Sequence, residues 1–279
     1  MIIKLISIEL SKIFRKLRTY IGFGAIAVLV PIVQISLYFN GEGYVDFATR
    51  NLKDSFFFVG NLMNGYLVAY LILQALFIHI PFLIVLVGSD LFAGEATSGT
   101  YRMLVTRPVS RFSIAFSKFI AGFIYTNLLL AWLLIISMGV SLLIFGPGEL
   151  IVLRDKVYIF AADDVIWRFV LAYGFAMISM TTVFTLSYFF SSLVENAIGP
   201  IVVTMAVIIV FIIISALPIE ALEFIKPYLF TNHMIKWREF FGDPVGYDVI
   251  IESGLILLGH IVVLFAVTTY IFNRKDILT

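Results

Sequence analysis

Six stretches of this chain run for about twenty residues or more without an Asp, Glu, Lys or Arg side chain. They are Tyr20–Phe39, Tyr66–Gly88, Phe119–Phe145, Phe169–Phe190, Ala197–Leu217 and Gly254–Phe272. A helix rises about 1.5 Å per residue, so about 20 apolar residues cross the hydrocarbon core of a bilayer. Because backbone groups find no water in lipid, each stretch must satisfy its own hydrogen bonds, as a helix does. The sequence therefore predicts an all-α polytopic membrane protein with six transmembrane helices.

The composition of the chain agrees with this fold class. Hydrophobic residues make up 61% and charged residues 13%, whereas ordinary soluble domains carry about 25% charged residues. The mean hydropathy is +1.06. The segments between the apolar stretches are too short to build a core of their own, and the absence of cysteine excludes disulfides and thiolate metal sites. We therefore expect one domain over residues 1–279.

Basic residues are distributed unevenly between the two sides of the predicted membrane. If the N-terminus is cytoplasmic, the inner segments hold 11 of the 19 Lys and Arg residues but only 5 of the 18 Asp and Glu residues; they are 1–19, 89–118, 191–196 and 273–279. An excess of Lys and Arg marks cytoplasmic segments. The sequence therefore predicts a multi-pass protein of the plasma (inner) membrane, with both termini cytoplasmic and a long outer segment at 218–253.

Residues 1–19 have the pattern of an amphipathic helix. Apolar side chains recur every three or four residues, at Ile3, Ile6, Leu10, Ile13 and Leu17. Five basic side chains occupy the remaining faces, at Lys4, Lys12, Arg15, Lys16 and Arg18. Such a helix is suited to lie in the headgroup layer beside anionic lipids. The alternative is a basic flank that merely orients the first span.

The connecting segments carry weaker signals. Asn40-Gly41-Glu42-Gly43 predicts a turn at the start of the first outer loop. The apolar stretch Ile151–Phe160 is interrupted by charges, so a small hairpin and an irregular loop both fit. Trp and Phe side chains in Met234–Phe241 indicate a position at the outer membrane interface.

Few residues in the predicted spans suggest chemistry. The three histidines, His79, His233 and His260, are far apart in sequence, and no H-E-x-x-H pair is present to hold zinc. Polar side chains within spans usually face the bundle interior and bond a neighbouring helix, and some line a substrate route. The candidates for such a route are Gln74, His79, Ser179, Thr182 and His260.

No Asp or Glu lies in any of the six stretches, although carriers driven by protons usually keep such a group at membrane depth. If the protein moves a substrate uphill, we therefore expect the energy to come from another polypeptide. Residues Gly94–Thr100 have the glycine spacing of a phosphate-binding loop, but Thr100 stands where the lysine would be and a span precedes the loop. We expect no ATP binding by that route and no cofactor in this chain.

The loop after the second span carries a recognisable motif. Its residues Glu95, Gly99, Thr100, Leu104, Pro108, Ser110 and Arg111 match, in order and spacing, a glutamate, a Gly-Thr pair, an apolar turn and a Pro-x-Ser-Arg group. This pattern resembles the cytoplasmic signature of ATP-binding-cassette (ABC) permeases of the type-2 export class. The six-span plan and the basic N-terminal segment, which contains Glu9, resemble the same family.

The resemblance implies a coupling loop at 94–111 that contains a short cytoplasmic coupling helix. The residues that would take part are Glu95, Gly99, Thr100, Tyr101, Leu104, Arg107, Pro108 and Arg111. Thr97 or Ser98 can cap such a helix, whose N-terminal dipole would favour Glu95. A helix this short needs a docking partner, which in the family is the ATPase subunit. The alternative is an amphipathic loop that rests on lipid.

The resemblance therefore implies a transmembrane permease subunit of an ABC transporter that works as an exporter. It does not imply an enzyme. ATP and Mg²⁺ would be bound by a separate ATPase chain, and a second permease subunit, identical or related, would complete a dimer. Membrane lipid and an unidentified transported substrate are the other expected partners, and no nucleic acid is expected. The alternatives are an intramembrane enzyme that uses His79 or His260 and a membrane scaffold for an ATPase without transport.

Overall fold

The computed structural model describes residues 2–50, 62–99, 109–154 and 156–275. Its helices are α1 (Ile2–Phe14), α2 (Leu17–Thr49), α3 (Gly65–Leu76), α4 (Ile80–Gly88), α5 (Asp90–Thr97), α6 (Arg111–Leu134), α7 (Ser141–Phe145), α8 (Ala162–Leu193), α9 (Ile198–Ala216), α10 (Phe230–Met234) and α11 (Tyr247–Arg274). A π-helical turn, Ile135–Val140, joins α6 to α7. Two antiparallel strands, β1 (Leu150–Leu153) and β2 (Val157–Phe160), form a hairpin. Short 3₁₀ turns cover Glu220–Leu222, Lys226–Tyr228 and Ile235–Phe241.

Within the described residues, five helical segments are long and apolar enough to cross a membrane. They start at Leu17, Arg111, Ala162, Ile198 and Tyr247. The pair α3 and α4 passes the same test together but is bent by 52°. The protein is therefore a largely helical, multi-pass membrane protein, to which the structure adds one small β-hairpin.

Helix α2 extends further than the sequence predicts. The turn expected at residues 40–43 is wrong, because the helix continues to Thr49. Gly41 lies close against the side chain of Met63, where a Cβ atom would be 3.0 Å from Met63 Cε. A glycine in a helix costs only about 1 kcal/mol relative to alanine, so packing against a neighbouring segment outweighs the local turn signal.

The second predicted span is broken rather than continuous. Helix α3 ends at Leu76 and α4 begins at Ile80, with Pro81 in the first turn of α4. Proline has no N–H to donate to the carbonyl four residues earlier, and its ring clashes with that carbonyl. The chain therefore bends by 52° at residues 77–79.

The third span contains a π-helical turn that another helix stabilises. Gln34 of α2 donates from Nε2 to the carbonyl oxygen of Ile136 at 3.1 Å and to Ser141 Oγ at 2.9 Å. A π-turn leaves backbone carbonyls without their usual helical partners, and π-turns often occur at functional sites. Gln34 is fully buried, so it satisfies these carbonyls where water does not reach.

Helix α8 lies at the centre of the bundle. In its most apolar window 72% of residues are buried, compared with 22–28% for the other four single-helix spans. It packs against α4, α6, α9 and α11. Because the other helices surround α8, they expose apolar side chains outwards, as lipid contact requires.

The segment Met234–Phe241, for which the sequence predicts a position at the outer interface, packs into the bundle. Trp237 and Phe241 are fully buried. The ring of Phe241 lies 5.0 Å from the rings of both Tyr70 in α3 and Phe169 in α8. We call Phe230–Phe241 the re-entrant segment, because it runs back between the spans instead of over their ends.

Candidate functional site

Three segments that are distant in sequence meet at one end of the bundle. Helix α1, helix α5 and the beginning of α6 are joined there by ion pairs, and the end of α11 lies beside them. We call this the α1 end. It brings together both ends of the described chain and the loop that carries the permease-like signature.

Four side chains form a closed set of ion pairs at the α1 end, which we call the four-charge ring: Glu9, Lys12, Glu95 and Lys118. The two oxygens of Glu9 bind different ammonium groups, Lys12 Nζ at 2.6 Å and Lys118 Nζ at 2.9 Å. Those of Glu95 bind the same two groups, each at 2.7 Å. Every carboxylate oxygen in the ring therefore has its own cationic partner.

Three of the four side chains in the ring are buried, and the Lys12 side chain is 39% exposed. Lys118 is 1% exposed, Glu9 is 5% exposed and Glu95 is 7% exposed. A buried charge without a partner is strongly unfavourable, whereas a fully paired one can be retained. Lys118 Nζ also lies 5.8 Å from the ring centroid of Phe92, which adds a cation–π contact.

The ionisation of the ring follows from these contacts. Burial alone would raise the pKa of the Glu95 carboxyl, but the adjacent Lys118 and Lys12 outweigh it and lower this pKa below its usual value. Burial likewise opposes the charge of Lys12, but Glu9 and Glu95 raise the pKa of its ammonium group. Both shifts favour the charged forms of Glu95 and Lys12.

A second charge cluster fixes the start of α5. Asp90, the first residue of this helix, accepts from Arg18 Nη1 at 2.7 Å and also pairs with Lys16. A Cβ atom at position 94 would lie 2.0 Å from Asp90 Oδ1. Glycine at position 94 therefore leaves room for the carboxylate of Asp90. Lys16 and Arg18, which the amphipathic pattern of residues 1–19 predicts beside lipid headgroups, thus bind a carboxylate of the protein.

Helix α1 also differs in detail from the predicted amphipathic helix. Its buried positions are Glu9 and Ile13, while Ile3 is 82% exposed and Leu17 is 88% exposed. The helix ends at Phe14, so Leu17 belongs to the next helix. The face of α1 that packs on the bundle is therefore centred on a carboxylate, which an apolar stripe does not reveal.

The structure describes three of the eight predicted coupling residues. Glu95 and Gly99 belong to α5 and its end, and Arg111 begins α6. The other five lie outside the described residues; they are Thr100, Tyr101, Leu104, Arg107 and Pro108. The predicted coupling helix that Ser98 would cap falls outside the described residues as well. Glu95 lies inside the preceding helix, not at the start of a coupling helix as we expected.

Gly99 ends helix α5 in a left-handed conformation. Its φ is +66°, and its N–H donates to the carbonyl of Ala96 at 3.0 Å. Glycine commonly ends helices in this conformation because it lacks the Cβ atom that would clash there. The Gly of the signature therefore directs the chain out of α5 into the loop that follows.

Ser110 and Arg111 join the other side of the loop to the bundle. Ser110 Oγ accepts the N–H of Ser113 at 3.2 Å and so caps the N-terminus of α6. Arg111 Nη1 donates to the carbonyls of Asn273 at 3.0 Å and Lys275 at 2.7 Å. A cation favours the carbonyl end of a helix, so Arg111 holds the end of α11 beside the loop.

Helix α5 is also bonded to the end of α8. Ser191 Oγ accepts the N–H groups of Phe92 and Ala93, each at 3.1 Å, and donates to the carbonyl of Ser89 at 2.7 Å. Thr97 Oγ1 donates to the carbonyl of Glu195 at 2.6 Å. A displacement of α5 would therefore be transmitted to α1, α6 and α8 together.

The charged groups of the α1 end surround a cavity of about 360 Å³. Its wall includes the four-charge ring together with Asp90 and Arg18, and apolar side chains such as Leu5 and Ile114. Among the described residues no group of three or more His, Asp or Glu side chains could hold a metal ion. The arrangement connects α1, α5 and α6 through ion pairs.

The five candidates for a substrate route are not brought together. Gln74 lines a second, larger cavity beside the break between α3 and α4. His79 is exposed at the break, and its Nδ1 lies 2.8 Å from the carbonyl of Ala75 in α3. His260 is bonded in the same way to Ile256 and contacts the ring of Phe230. No described contact links either histidine to a second titratable side chain.

Ser179 and Thr182 are buried packing residues of α8. Ser179 Oγ lies 3.1 Å from the carbonyl of Phe175 and 3.4 Å from that of Met234 in the re-entrant segment. Thr182 Oγ1 lies 3.1 Å from the carbonyl of Ile178 and 3.5 Å from that of Leu257 in α11. These hydroxyls join α8 to its neighbours, as polar side chains within spans commonly do.

Sequence reasoning missed Lys118 and Asp90 as site residues and named Glu9 only in passing. Two signals were available: Glu9 is the one carboxylate in a basic segment, and Lys118 directly precedes an uncharged stretch. Glu9 and Lys118 are 109 positions apart, so their pairing depends on the tertiary structure.

Comparison with known proteins gives two similarities. A family profile described as "Protein of unknown function (DUF2705)" matches residues 26–278. The chain is also similar to "Uncharacterized protein YhcI" of Bacillus subtilis (strain 168), with 23% identity over 201 residues. That alignment covers 69% of this chain and 63% of the relative, so the chain spans less than two thirds of the relative's length.

Proposed function

Because this chain belongs to the DUF2705 family, whose description assigns no function, we propose one from its own site: it is the permease subunit of an ABC exporter. In this proposal the bent pair α3–α4 counts as one crossing, which gives six spans. A separate ATPase docks on the loop that begins at Gly99. A second permease subunit, identical or related, completes the transporter.

The observation that carries the proposal is the four-charge ring. A permease has to convert ATPase movement at its coupling loop into movement of its spans, which requires a rigid connection. Glu95 of α5 is bound to Lys12 of α1 and Lys118 of α6, and Gly99 leads directly from α5 into the signature loop. The ring and the signature together favour a loop that transmits movement of the ATPase to the spans over a loop that rests on lipid.

We expect a variant of the loop to separate docking from folding. Leu104→Asp should reduce the recovery of the ATPase with the affinity-tagged chain by about tenfold, because a buried leucine contributes about 1.5–3 kcal/mol to a contact. Ser11→Asp, a change at an exposed position of α1, should leave recovery unchanged. The measurement is co-purification in a mild detergent, with bound chains identified by mass spectrometry. Recovery of no ATPase with the unmodified chain would contradict the proposal.

The proposed orientation places the α1 end in the cytoplasm, in agreement with the excess of basic residues there. The chain contains no cysteine, so single cysteines can be labelled without background. Ser11→Cys should react with a membrane-impermeant maleimide only after cells are permeabilised. Glu220→Cys, exposed at the other end, should react in intact cells. The reverse pattern would invert the orientation and remove the ATPase from the reach of the loop.

A scaffold that binds an ATPase without transport would use the same docking loop. The two functions differ in reconstituted vesicles, where only a transporter moves a substrate on ATP addition. The enzyme alternative gains no support from the positions of His79 and His260, since each is bonded to the backbone carbonyl four residues before it.

A further inference from the structure

A cavity of about 870 Å³ lies beside the break between α3 and α4. It is bounded by α2, the bent pair, α9 and the re-entrant segment. Most of its wall is apolar, including Val33, Leu37, Leu71, Ile208 and Ile212. Cavities of about 300–1,000 Å³ with apolar walls and a few polar groups are typical of small-molecule sites.

The re-entrant segment brings a cation to the middle of the bent span. The ring of Trp237 lies 5.6 Å from that of Phe77, at the break, and 5.9 Å from that of Tyr70. The neighbouring Arg238 lines the cavity together with Gln74 and Pro81. An ionisable side chain at membrane depth is costly and usually marks a functional site.

No carboxylate neutralises Arg238 within the described part of the chain. Its Nε–H is buried and has no hydrogen-bond partner there, and the described cavity wall contains no Asp or Glu. The adjacent Glu239 is bound instead by Arg154 Nη2, at 2.9 Å. The guanidinium of Arg238 lies over the face of Trp237, with 5.7 Å between its Cζ atom and the ring centroid.

A second polar group in the cavity wall lacks a partner. Thr231 is 8% exposed, and its Oγ1 makes no hydrogen bond within the described residues. A buried hydroxyl without a hydrogen-bond partner is unfavourable. An N–H donor of a cation and a hydroxyl, both buried in the wall of one cavity, are complementary to an anionic group.

We infer that this cavity binds a single-tailed amphiphile with an anionic head group. The head accepts hydrogen bonds from Arg238 and Thr231, and the tail lies along the apolar side chains of α2 and α9. That this amphiphile is also the substrate of the exporter rests on the proposed function. Binding itself requires no ATPase, so the two proposals can be tested separately.

The test uses palmitic acid that carries a photoactivatable diazirine in its tail, with the matching alcohol as the uncharged control. The purified chain is placed in nanodiscs of zwitterionic phosphatidylcholine, irradiated and analysed by peptide mass spectrometry. We expect the acid to label residues of α9 and the re-entrant segment, about tenfold more strongly than the alcohol, because a charge-assisted hydrogen bond is lost with the latter. Unlabelled palmitate should compete.

Two variants test the head and tail positions. Arg238→Gln should reduce labelling by the acid about tenfold and abolish the preference over the alcohol. Ala75→Trp, which places a large ring in the cavity wall, should reduce labelling by both probes. Lys226→Gln is the matched control, since Lys226 pairs with Glu223 and does not line the cavity. If Arg238→Gln does not fold, two other variants replace it. Thr231→Val should reduce labelling by the acid, and Arg238→Lys should retain it.

Equal labelling by acid and alcohol, or labelling unaffected by Arg238→Gln, would overturn the inference. Competition by phosphatidylglycerol but not by palmitate would also overturn it, in favour of a two-tailed lipid. Correct labelling together with no recovered ATPase would refute the exporter and leave the binding site intact. Recovery of an ATPase without labelling would refute the binding site and leave the exporter intact.

Discussion

Lys118→Met should lower the free energy of unfolding by about 3–5 kcal/mol, because it leaves two buried carboxylates with one ammonium partner. Lys118 is 1% exposed and binds both Glu9 and Glu95. The measurement is chemical or thermal unfolding of the purified chain in detergent. The same variant should weaken the connection between α5 and α6, and so reduce any ATP-driven substrate movement in vesicles.

A charge-balanced variant distinguishes charge from packing. Lys118→Met combined with Glu9→Gln retains one ion pair, between Lys12 and Glu95, and should recover more than half of the lost stability. Lys226→Met, which breaks an exposed pair with Glu223, should cost less than about 1 kcal/mol. If the double variant is less stable than the single one, loss of packing rather than unpaired charge explains the effect.

The pH dependence of these variants has a definite sign. In the unmodified chain the pKa of Glu95 is lowered on folding, so its pairing stabilises the protein above the usual carboxyl pKa. That contribution is lost as the pH falls through the lowered value. In Lys118→Met the carboxylate loses a buried partner, and protonation relieves the cost. The deficit of the variant should therefore shrink as the pH falls towards the usual carboxyl pKa.

Arg168→Met should also be destabilising, by about 2–5 kcal/mol, because it leaves two carbonyl acceptors in the interior without a donor. Arg168 Nη1 donates to the carbonyls of Phe240 at 2.7 Å and Gly242 at 3.0 Å, and Asp164 accepts from its Nε at 2.9 Å. Its guanidinium also lies 4.1 Å from the ring centroid of Phe160. The variant leaves these acceptors unpaired and frees the re-entrant segment from α8.

Local measurements should show where Arg168→Met acts. Hydrogen exchange should increase in residues 230–241 before it increases in α1 and α5, because Arg168 binds the end of that segment only. Arg168→Lys should recover little, since one ammonium group cannot reproduce the geometry of a guanidinium. Lys156→Met, at an exposed position of the hairpin, is the control and should change stability by less than about 0.5 kcal/mol. Uniform exchange throughout the chain would contradict a local role.

Helix ends were harder to predict than helix centres, and charged residues explain why. Lys118 and Arg168 marked the predicted edges of two spans, yet α6 begins at Arg111 and α8 at Ala162. Arg168 pairs with Asp164 of its own helix, whereas Lys118 is buried inside its helix because Glu9 from another segment neutralises it. A single sequence does not reveal that partner, so a charge is read as the end of a span.

The signature loop shows the same division between local and tertiary causes. The glycine at 99 and the serine at 110 act locally, through a left-handed helix end and an N-cap, and both follow from their residue types. Glu95 acts through Lys12 and Lys118, which are far from it in sequence. Its position within α5, and not at the start of a coupling helix, therefore came only from the structure.

The amino-acid sequence by itself determined that this chain is a multi-pass helical membrane protein, because uncharged stretches of this length must satisfy their backbone hydrogen bonds within lipid. Only the tertiary structure decided which charges meet, where the second span bends and that residues 230–241 enter the bundle. The physical reason is range: hydrogen bonds within a helix join neighbours in sequence, whereas the ion pairs of the four-charge ring join residues up to 109 positions apart.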